Sequence, residues 1–413
     1  MAGSPFADLP HVDDPTVPWA ALLGEPAVDL LATAVGNGAG GELRRVVPRQ
    51  ATYHPGRSLT VRYDAHVAWP GGRSTNESLV AVGGEVPQGA LTLYDGTDTV
   101  GVWRVPHDPL LPGLAAALDP VRIREMLADL GADVPKVSLR FRSYRPGRRA
   151  VVELTAPDVH LFLKVVRRGA AANLHHRHVL LADHAPVPRS LGWSDEHDLV
   201  VLQALPGVTM RQALESKRAL PGGAALLAVL DQLPDGEPGA SRPGWQGERF
   251  AATIGAVVPG LQGRADELAG ALIAIEREID APVVPVHGDF HEAQLLVTGG
   301  HISGLLDVDT FGHGRRVDDL ATMIGHLSTL ATTSRRREPI ERHASRVLDT
   351  FDRTVDPVVL RQAVAAVVLG LATGPFRVLE PHWRAATTRR VQLAEQWFSS
   401  AARVATHGAS AHR

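Results

Sequence analysis

Val286 to Ala321 reads VHGDFHEAQLLVTGGHISGLLDVDTFGHGRRVDDLA, and the rest of the chain is organised around it. Leu295-Leu296-Val297 is a short apolar run. Thr298-Gly299-Gly300 has turn chemistry, and Ile302 to Leu306 is a returning apolar run ended by Asp307. Two such runs across a glycine pair predict a β-hairpin. A tip centred between Gly300 and His301 sets Gln294 opposite Asp307. Residues directly opposite in an antiparallel pair have Cβ atoms roughly 5 Å apart. An amide oxygen and a carboxylate at that separation can share one hard cation such as Mg2+. Asp289 lies upstream of Gln294, in the loop feeding the hairpin. A carboxylate beside a metal–phosphate site, and not needed as a ligand, is suited to orient an attacking hydroxyl and take its proton. The stretch therefore predicts phosphoryl transfer.

Its other polar residues have more than one use. Asp309 falls on the side of Asp307 if the chain stays extended. It is open between contact with a second metal or the acceptor and the role of a plain turn carboxylate. Gly288 permits a tight backbone path, and His287 is expected to brace the loop as a structural histidine. Asp318-Asp319 opens a helix: one aspartate is a cap, and Asp319 is placed to hold the loop through backbone N–H groups. His287, Asp289, His291 and Glu292 are also metal-ligand types, which suits a metal-dependent hydrolase. No third, distant ligand group announces itself in the sequence, so phosphoryl transfer ranks above hydrolysis.

Bulk properties bound the rest. With 413 residues, two or three domains are expected. A formal charge of −3 gives no electrostatic case for nucleic acid or for an anionic membrane. The absence of cysteine excludes disulfides, thiolate metal sites and cysteine nucleophiles. MAGSPFADLPHVDDP at the N-terminus lacks the pattern of a signal peptide. Ala363 to Ala372, the most apolar stretch, is too short to span a bilayer and is read as a buried helix. A cytoplasmic enzyme acting on a small molecule is expected. Lysine occurs only at 136, 164 and 217 among abundant arginine, so each lysine carries a little information.

Residues 1 to about 115 read as strands and turns. The strands are Ala51–Tyr53, Leu59–Val67, Ser78–Val82, Ala90–Tyr94 and Val100–Val105, punctuated by Gly71-Gly72, Gly83-Gly84 and Asp95-Gly96. Asp119-Pro120 starts a helix that runs to Leu130. Val137–Tyr144, Ala150–Leu154 and His160–Val166 form a second β-rich unit. Tyr53-His-Pro-Gly-Arg57 with Val61 matches Tyr144-Arg-Pro-Gly-Arg148 with Val152. The match is short enough that shared turn preference and duplication are equal explanations.

Beyond Val166 the chain becomes mainly helical. Helices are expected over Ala170–Asp183 and from Thr209 to Leu220. Further ones are expected near 263–279, 318–330, 337–352, 357–373 and 384–403. Leu199–Leu202 is a short strand, Leu205-Pro206-Gly207 a lobe connector, and Pro221 to Gly247 an exposed loop. A β-rich half, a connector and a helical half place a nucleotide in the cleft between them.

Lys164 sits inside the apolar strand Leu161 to Val166, where an unpaired ammonium is costly to bury. A phosphate reaching in from the cleft would satisfy it. The competing reading is an edge lysine whose head reaches water; the downstream hairpin favours the first. Arg145-Pro146-Gly147-Arg148-Arg149 is a basic turn where a kinase covers its phosphates, and it is equally open to being an ordinary solvated turn.

His287-Gly288-Asp289-Phe290-His291-Glu292-Ala293-Gln294, Gly304-Leu305-Leu306-Asp307 and Asp319-Leu320-Ala321 together resemble the aminoglycoside phosphotransferase and choline kinase-like family. The resemblance covers about 35 residues strongly. It implies an α+β, bilobal protein-kinase-like fold. The parts would be a β-rich N-terminal cap over 1–135, a nucleotide lobe over 136–205 and a mainly helical lobe over 206–413. It implies ATP and Mg2+ as cofactors, with Asp289 as catalytic base and Asp307 as metal carboxylate. Lys164 would bind phosphate, and Leu202 to Leu205, with Gln203, would pack on adenine. Gln294 stands where most members have Asn, as in bacterial maltokinases and glucosamine kinases, which also carry an N-terminal cap. No glutamate lies between Lys164 and Asp183 to partner the lysine, and the glycine-rich loop is replaced by arginines, of which Arg148 is the candidate phosphate ligand. Trp383, Gln392, Glu395 and Trp397 are candidate walls for an acceptor, although helix packing explains any one of them. A silent kinase-like binding protein is the other alternative.

Overall fold

The computed structural model describes residues 17–94, 98–131, 134–235 and 246–411. A helix, α1 (Pro26–Ala39), precedes an antiparallel sheet of β1 (Glu42–His54), β2 (Ser58–Ala68), β3 (Ser74–Gly84), β4 (Leu91–Tyr94) and β5 (Thr99–Arg104), in the order β1-β2-β3-β5-β4. Two short helices follow, α2 (Leu114–Ala117) and α3 (Pro120–Asp129), the latter capped by Asp119 accepting from Val121 N–H at 2.8 Å. The second sheet has β6 (Ser138–Arg145), β7 (Arg149–Ala156), β8 (Val159–Val166), β9 (Ser190–Ser194) and β10 (Leu199–Gln203), in the order β6-β7-β8-β10-β9. Helix α4 (Ala171–Ala182) joins β8 to β9.

The two sheets thus have the same strand order, and the repeated Tyr-x-Pro-Gly-Arg occupies the same place in each. It forms the tight turn between the first two strands, with His54 opposite Ser58 and Arg145 opposite Arg149. Gly56 and Gly147 both take positive φ, 70° and 62°, which is why the motif carries glycine there.

Strand β3 shows why Ser78–Val82 reads as an unbroken apolar run. Leu79 and Ala81 pack with α1 in one core, while Val80 and Val82 pack with Trp103 against the second sheet in another. A strand buried on both faces has no polar side to alternate with. Leu111, Leu114, Ile123 and Leu127 fill that second core with Val152, Leu154 and Leu163. Helix α1 lies in the region read as strands and turns alone. Pro26 at its first turn and Gly40 at its end, φ 67°, were its signals.

After β10, Leu205-Pro206-Gly207 leads to β11 (Val208–Thr209) and α5 (Met210–Glu215), which opens with a Thr209/Gln212 capping box. The helix ends at Ser216 rather than Leu220. Within the stretch read as an exposed loop lies α6 (Gly223–Asp231), whose Leu226, Val229 and Leu230 are buried in the helical core; 236–245 lie outside the described residues, as do 1–16 and Asp95-Gly96. The chain continues through α7 (Gly247–Val257), α8 (Gln262–Glu278), β12 (Val283–Val286), β13 (Leu295–Thr298), β14 (His301–Leu305) and β15 (Gly312–Arg315). It ends with α9 (Arg316–Thr333), α10 (Arg337–Phe351), α11 (Pro357–Leu371), α12 (Gly374–Arg377) and α13 (Trp383–Ala411). The α+β architecture expected from the sequence, sheets first and helices after, is the one observed.

Residues 357–377 are long and apolar enough to cross a membrane by length and composition. Here Leu360, Val364, Val368 and Leu369 of α11 are fully buried in the helical core, and α11 packs on α9 and α13. Val257, Phe376 and Trp383 pass from the helical half into the core of the first sheet, so the two are joined by shared burial.

His343 of α10 is buried, and its Nε2 has no hydrogen-bond partner among the described residues. Burial, with Arg346 nearby, pushes its pKa down to about 4. The unfolded chain titrates near 6.5 and so binds more protons than the folded one between these values. Stability should therefore fall as pH drops from about 6.5 toward 4. In urea titrations at pH 7 and pH 5, His343→Leu should lose about 1–2 kcal/mol less than the unmodified protein.

Candidate active site

The loop between β12 and β13 is fixed by five hydrogen bonds. Asp319, fully buried at the start of α9, accepts from His287 N–H at 2.7 Å and Gly288 N–H at 2.8 Å. His287 Nε2–H donates to the Leu306 carbonyl at 2.8 Å, which leaves Nδ1 to accept from Asp289 N–H at 3.2 Å. Thr310 Oγ1 donates to the His287 carbonyl at 3.0 Å. Gly288 has φ 83°, and a Cβ there would lie 2.5 Å from the Thr310 carbonyl. The bracing roles expected of His287 and Asp319 are the observed ones. Asp318 pairs with Arg315 at 3.0 Å, and Arg315, the N-cap residue of α9, makes no side-chain capping bond among the described residues.

The hairpin forms, but its register differs from the expected one. Thr298 pairs with His301 and Val297 with Ile302, so the tip is Gly299-Gly300, both with positive φ. This is the two-residue turn that suits strand twist. The register then shifts at Ser303, and Leu295 pairs with Leu305. Leu306 N–H donates to the Gln294 carbonyl at 2.7 Å, so Gln294 lies opposite Leu306 and not Asp307. Asp307 has φ 56° and ψ 53°, and the chain enters a 3-10 turn over Val308–Thr310 instead of staying extended. This turn, not strand alternation, brings Asp309 beside Asp307. Gln294 Nε2 is nonetheless 3.4 Å from Asp307 Oδ2 and 3.4 Å from Asp289 Oδ2. The three side chains meet by a different route.

The second sheet covers them with positive charge. Lys164 of β8 is buried, with Nζ 2.9 Å from Asp307 Oδ1 and in contact with Asp309 Oδ1. Arg149 of β7 grips Asp307 with both Nη atoms, at 2.8 and 2.6 Å, and reaches Asp309 Oδ2 at 2.9 Å. Burial raises the pKa of Asp307, but Lys164 and Arg149 outweigh it and hold the group far below the carboxylate range. The partner of Lys164 is thus supplied by Asp307 and Asp309. Helix α4 offers no acid: Arg177 donates to the Asp309 carbonyl and buried His178 bonds the Pro188 carbonyl at 2.8 Å. Arg148 is exposed and forms no ion pair among the described residues. Its neighbour Arg149 is the arginine that reaches the site, a residue the sequence reading passed over. The signal was register. Val151 lies opposite Lys164, and Arg149, two residues back, shares that face. The turn itself is pinned by buried Asp108, which accepts from Gly147 N–H at 2.7 Å and Tyr144 Oη at 2.7 Å.

A second charged group lies on the other side of Asp289. His291 Nε2 is 3.7 Å from Asp289 Oδ2, and its ring stacks on His326 of α9 at 3.9 Å. Fully buried Glu292 pairs with Arg211 of α5 at 2.6 Å. Its other oxygen faces Nδ1 of His291 at 3.5 Å and of His326 at 3.7 Å. Burial would lower the pKa of His291, but Asp289 and Glu292 lift it to about 9; burial and that charge push His326 down to about 4. Burial raises the pKa of Asp289 and His291 more than offsets it, so Asp289 stays ionised. With 42% of its side chain exposed, a hydroxyl can reach it. His326 and Arg211 were not visible in the sequence. Asp289, His291 and His326 bring ligand atoms within 4.8 Å of one another, which supplies the distant group the hydrolase reading lacked. The two rings are only 16° from parallel, so their in-plane lone pairs run side by side and do not converge on one ion.

The remaining candidates are dispersed. Gln203 N–H donates to the Arg189 carbonyl at 2.9 Å, and its side chain is exposed. Leu205 packs on Gly304, where a Cβ would come within 2.9 Å of its Cδ1. Trp383 is buried against Phe376 in the core of the first sheet, and Glu395 pairs with Arg264 at 2.5 Å. Gln392 and Trp397 line a cavity of about 560 Å³ between α9, α10 and α13. The four therefore do not share one wall.

Among solved structures, the chain is similar to a thermostable mutant of an aminoglycoside phosphotransferase in a ternary complex with ADP and hygromycin B. The identity is 13% and the TM-score 0.46, over 67% of this chain and 98% of that one. A macrolide 2'-phosphotransferase from Brachybacterium faecium is 19% identical, with TM-score 0.40, over 66% and 97%. An aminoglycoside-3'-phosphotransferase of type VIII is 20% identical, with TM-score 0.40, over 58% and 93%. The search of curated proteins found no match. The pattern of the phosphotransferase enzyme family matches residues 141–354, from β6 through α10, and so spans half the chain. The chain belongs to that family.

Proposed function

We propose that this protein transfers the γ-phosphoryl group of ATP, with Mg2+, to a hydroxyl of a small polar molecule such as a sugar, aminosugar or aminoglycoside. One observation carries the reading: Asp289, Gln294 and Asp307 converge beneath Lys164, with a half-exposed carboxylate on one side and a partly buried, cation-held carboxylate on the other. The donor set fits Mg2+. Asp307 and Asp309 offer carboxylate oxygens, and a half-turn of the Gln294 amide brings its carbonyl oxygen to the same place. Asp307 already sits where positive charge is favoured. Bound there, the metal would neutralise charge on the transferring phosphate.

This chain's own residues would do the rest. Asp289 orients the acceptor hydroxyl and takes its proton as the new O–P bond forms. The bond from the γ-phosphorus to its bridging oxygen breaks, and ADP leaves with that oxygen. Lys164 neutralises phosphate charge from the cleft, and His291 keeps Asp289 ionised. Asp319 and His287 hold the loop so that these groups start in place. The sites of Gln203 and Leu205, at the connector beside β10, suit an adenine ring lying against the connector.

ADP release should be followed with Mg-ATP across a panel of sugars, aminosugars and aminoglycosides. A signal that depends on one acceptor, and falls about 10²–10⁴-fold in Asp289→Asn, is the expected result. Nucleotide binding without turnover on any acceptor would instead favour a silent binding protein. Asp319→Asn leaves one backbone N–H of the loop without its acceptor. It should cost roughly 1–3 kcal/mol in urea unfolding and lower kcat while the KM for ATP stays near that of the unmodified enzyme. An unchanged kcat would mean the loop is held elsewhere.

A further inference from the structure

Both side chains that hold the proposed metal carboxylates are cations, and one of them is forked. Arg149 uses its planar fork on both oxygens of Asp307, at 2.8 and 2.6 Å, and one nitrogen also serves Asp309 at 2.9 Å. A guanidinium so placed covers the lone pairs that a divalent ion needs. Mg2+ requires oxygens at about 2.0–2.1 Å in octahedral array, so Arg149 and the metal cannot hold Asp307 in the same way at once. Charge points the same way. Asp307 and Asp309 carry two negative charges, and Lys164 and Arg149 carry two positive ones. The set is neutral and already hydrogen-bonded, which leaves a bare divalent ion little Coulombic gain on entry.

The position of Arg149 in the chain makes exchange simple. It is the last residue of the Arg145–Arg149 turn, which β6 and β7 hold in register and Asp108 pins through Gly147. Arg145 and Arg148, in the same turn, form no ion pair among the described residues. The turn is therefore a fixed base carrying guanidinium groups, with one of them folded down onto the metal carboxylates.

We propose that Arg149 is a built-in competitor of the metal. It holds Asp307 and Asp309 until a metal–nucleoside triphosphate draws it away onto the phosphates. This rests on the phosphotransferase reading above and adds an order of events to it. The free ion is refused, whereas the metal–nucleotide complex, whose phosphates offer Arg149 a replacement anion, is accepted. Arg149 is then a positioning residue in both states, a stand-in cation in one and a phosphate ligand in the other.

Mn2+ binding by electron paramagnetic resonance tests this without turnover. The full-length protein, Arg149→Met and Arg149→Lys should each be titrated with Mn2+ alone and with Mn2+ plus a non-hydrolysable ATP analogue. Thermal melts show that each variant is folded. The unmodified protein should bind Mn2+ alone at least about 10-fold more weakly than in the presence of the analogue. Arg149→Met should bind Mn2+ alone at least about 10-fold more tightly than the unmodified protein, yet bind the analogue more weakly. Arg149→Lys, which keeps the charge but not the fork, should fall between them. Equal Mn2+ binding by the unmodified protein and Arg149→Met would overturn the proposal, as would a weakening of both ligands together, the mark of a merely structural arginine. Absence of Mn2+ binding in every variant, with or without the analogue, would overturn the metal site itself and the competitor with it. Absence of phosphoryl transfer alongside the expected Mn2+ pattern would overturn only the enzymatic reading.

Discussion

Asp307 is where the two halves of the molecule are tied together electrostatically. Its backbone belongs to the hairpin of the helical half, and both cations on its carboxylate come from the second sheet. A partly buried carboxylate with two cationic partners is not an efficient way to stabilise a fold, because drawing the three out of water costs about as much as their attraction returns. Apolar residues of the same volume would serve stability as well. What the ion cluster provides is a charged surface at a fixed place, held between parts that bury apolar surface on their own account. The left-handed backbone at Asp307 belongs to the same bargain. An aspartate tolerates that conformation better than most residues, and there it turns the chain so that Asp309 joins Asp307.

The neighbouring cluster around Asp289 obeys the opposite rule. Glu292 is fully buried, and its charge is met by Arg211 on one oxygen and by two imidazoles on the other. The imidazoles stack, and only one of them carries a proton readily. The pair therefore delivers a single positive charge, and it delivers it on the Asp289 side. Asp289 is thus flanked by His291 while Asp307 is held by Lys164 and Arg149. Two carboxylates that approach a common amide can both remain ionised because each has its own cation.

Much of this was legible in the sequence, and the remainder failed for identifiable reasons. Local chemistry is legible where one residue type answers one need: Gly288 at a positive φ, Asp119 and Thr209 as caps, Asp319 at a helix start holding the loop. The hairpin was recognised from its glycine pair, but its register was missed by one residue. A bulge at Ser303 is invisible to a count of residues about a tip. Strong strand signals around it hide α1, and the prolines and glycines that flank α6 give it the composition of a loop. Arg211 and His326 could not be chosen from the sequence, and Arg149 only through the register that sets Val151 opposite Lys164. Each acquires its role from a neighbour distant in the chain, and only the folded backbone brings those neighbours together. The same limit applies to Trp383, a candidate wall for the acceptor. In the structure it fills the junction between α12, α13 and the first sheet.

The two five-stranded sheets separate what the fold supplies from what the site adds. They have the same strand order and the same Pro-Gly-Arg turn between their first two strands. In the first, Arg57 bonds Glu85 in a doubly hydrogen-bonded pair open to solvent, where such a pair contributes little. In the second, the turn is pinned by Asp108 and leads into Arg149 above two carboxylates. Shared strand order thus gives no chemistry by itself. What differs is the surface underneath: the second sheet faces the loop that β12 and α9 hold in place, and the first faces α1. A turn that is only a corner in one sheet becomes part of a cation-lined cleft in the other because of what the helical half places beneath it.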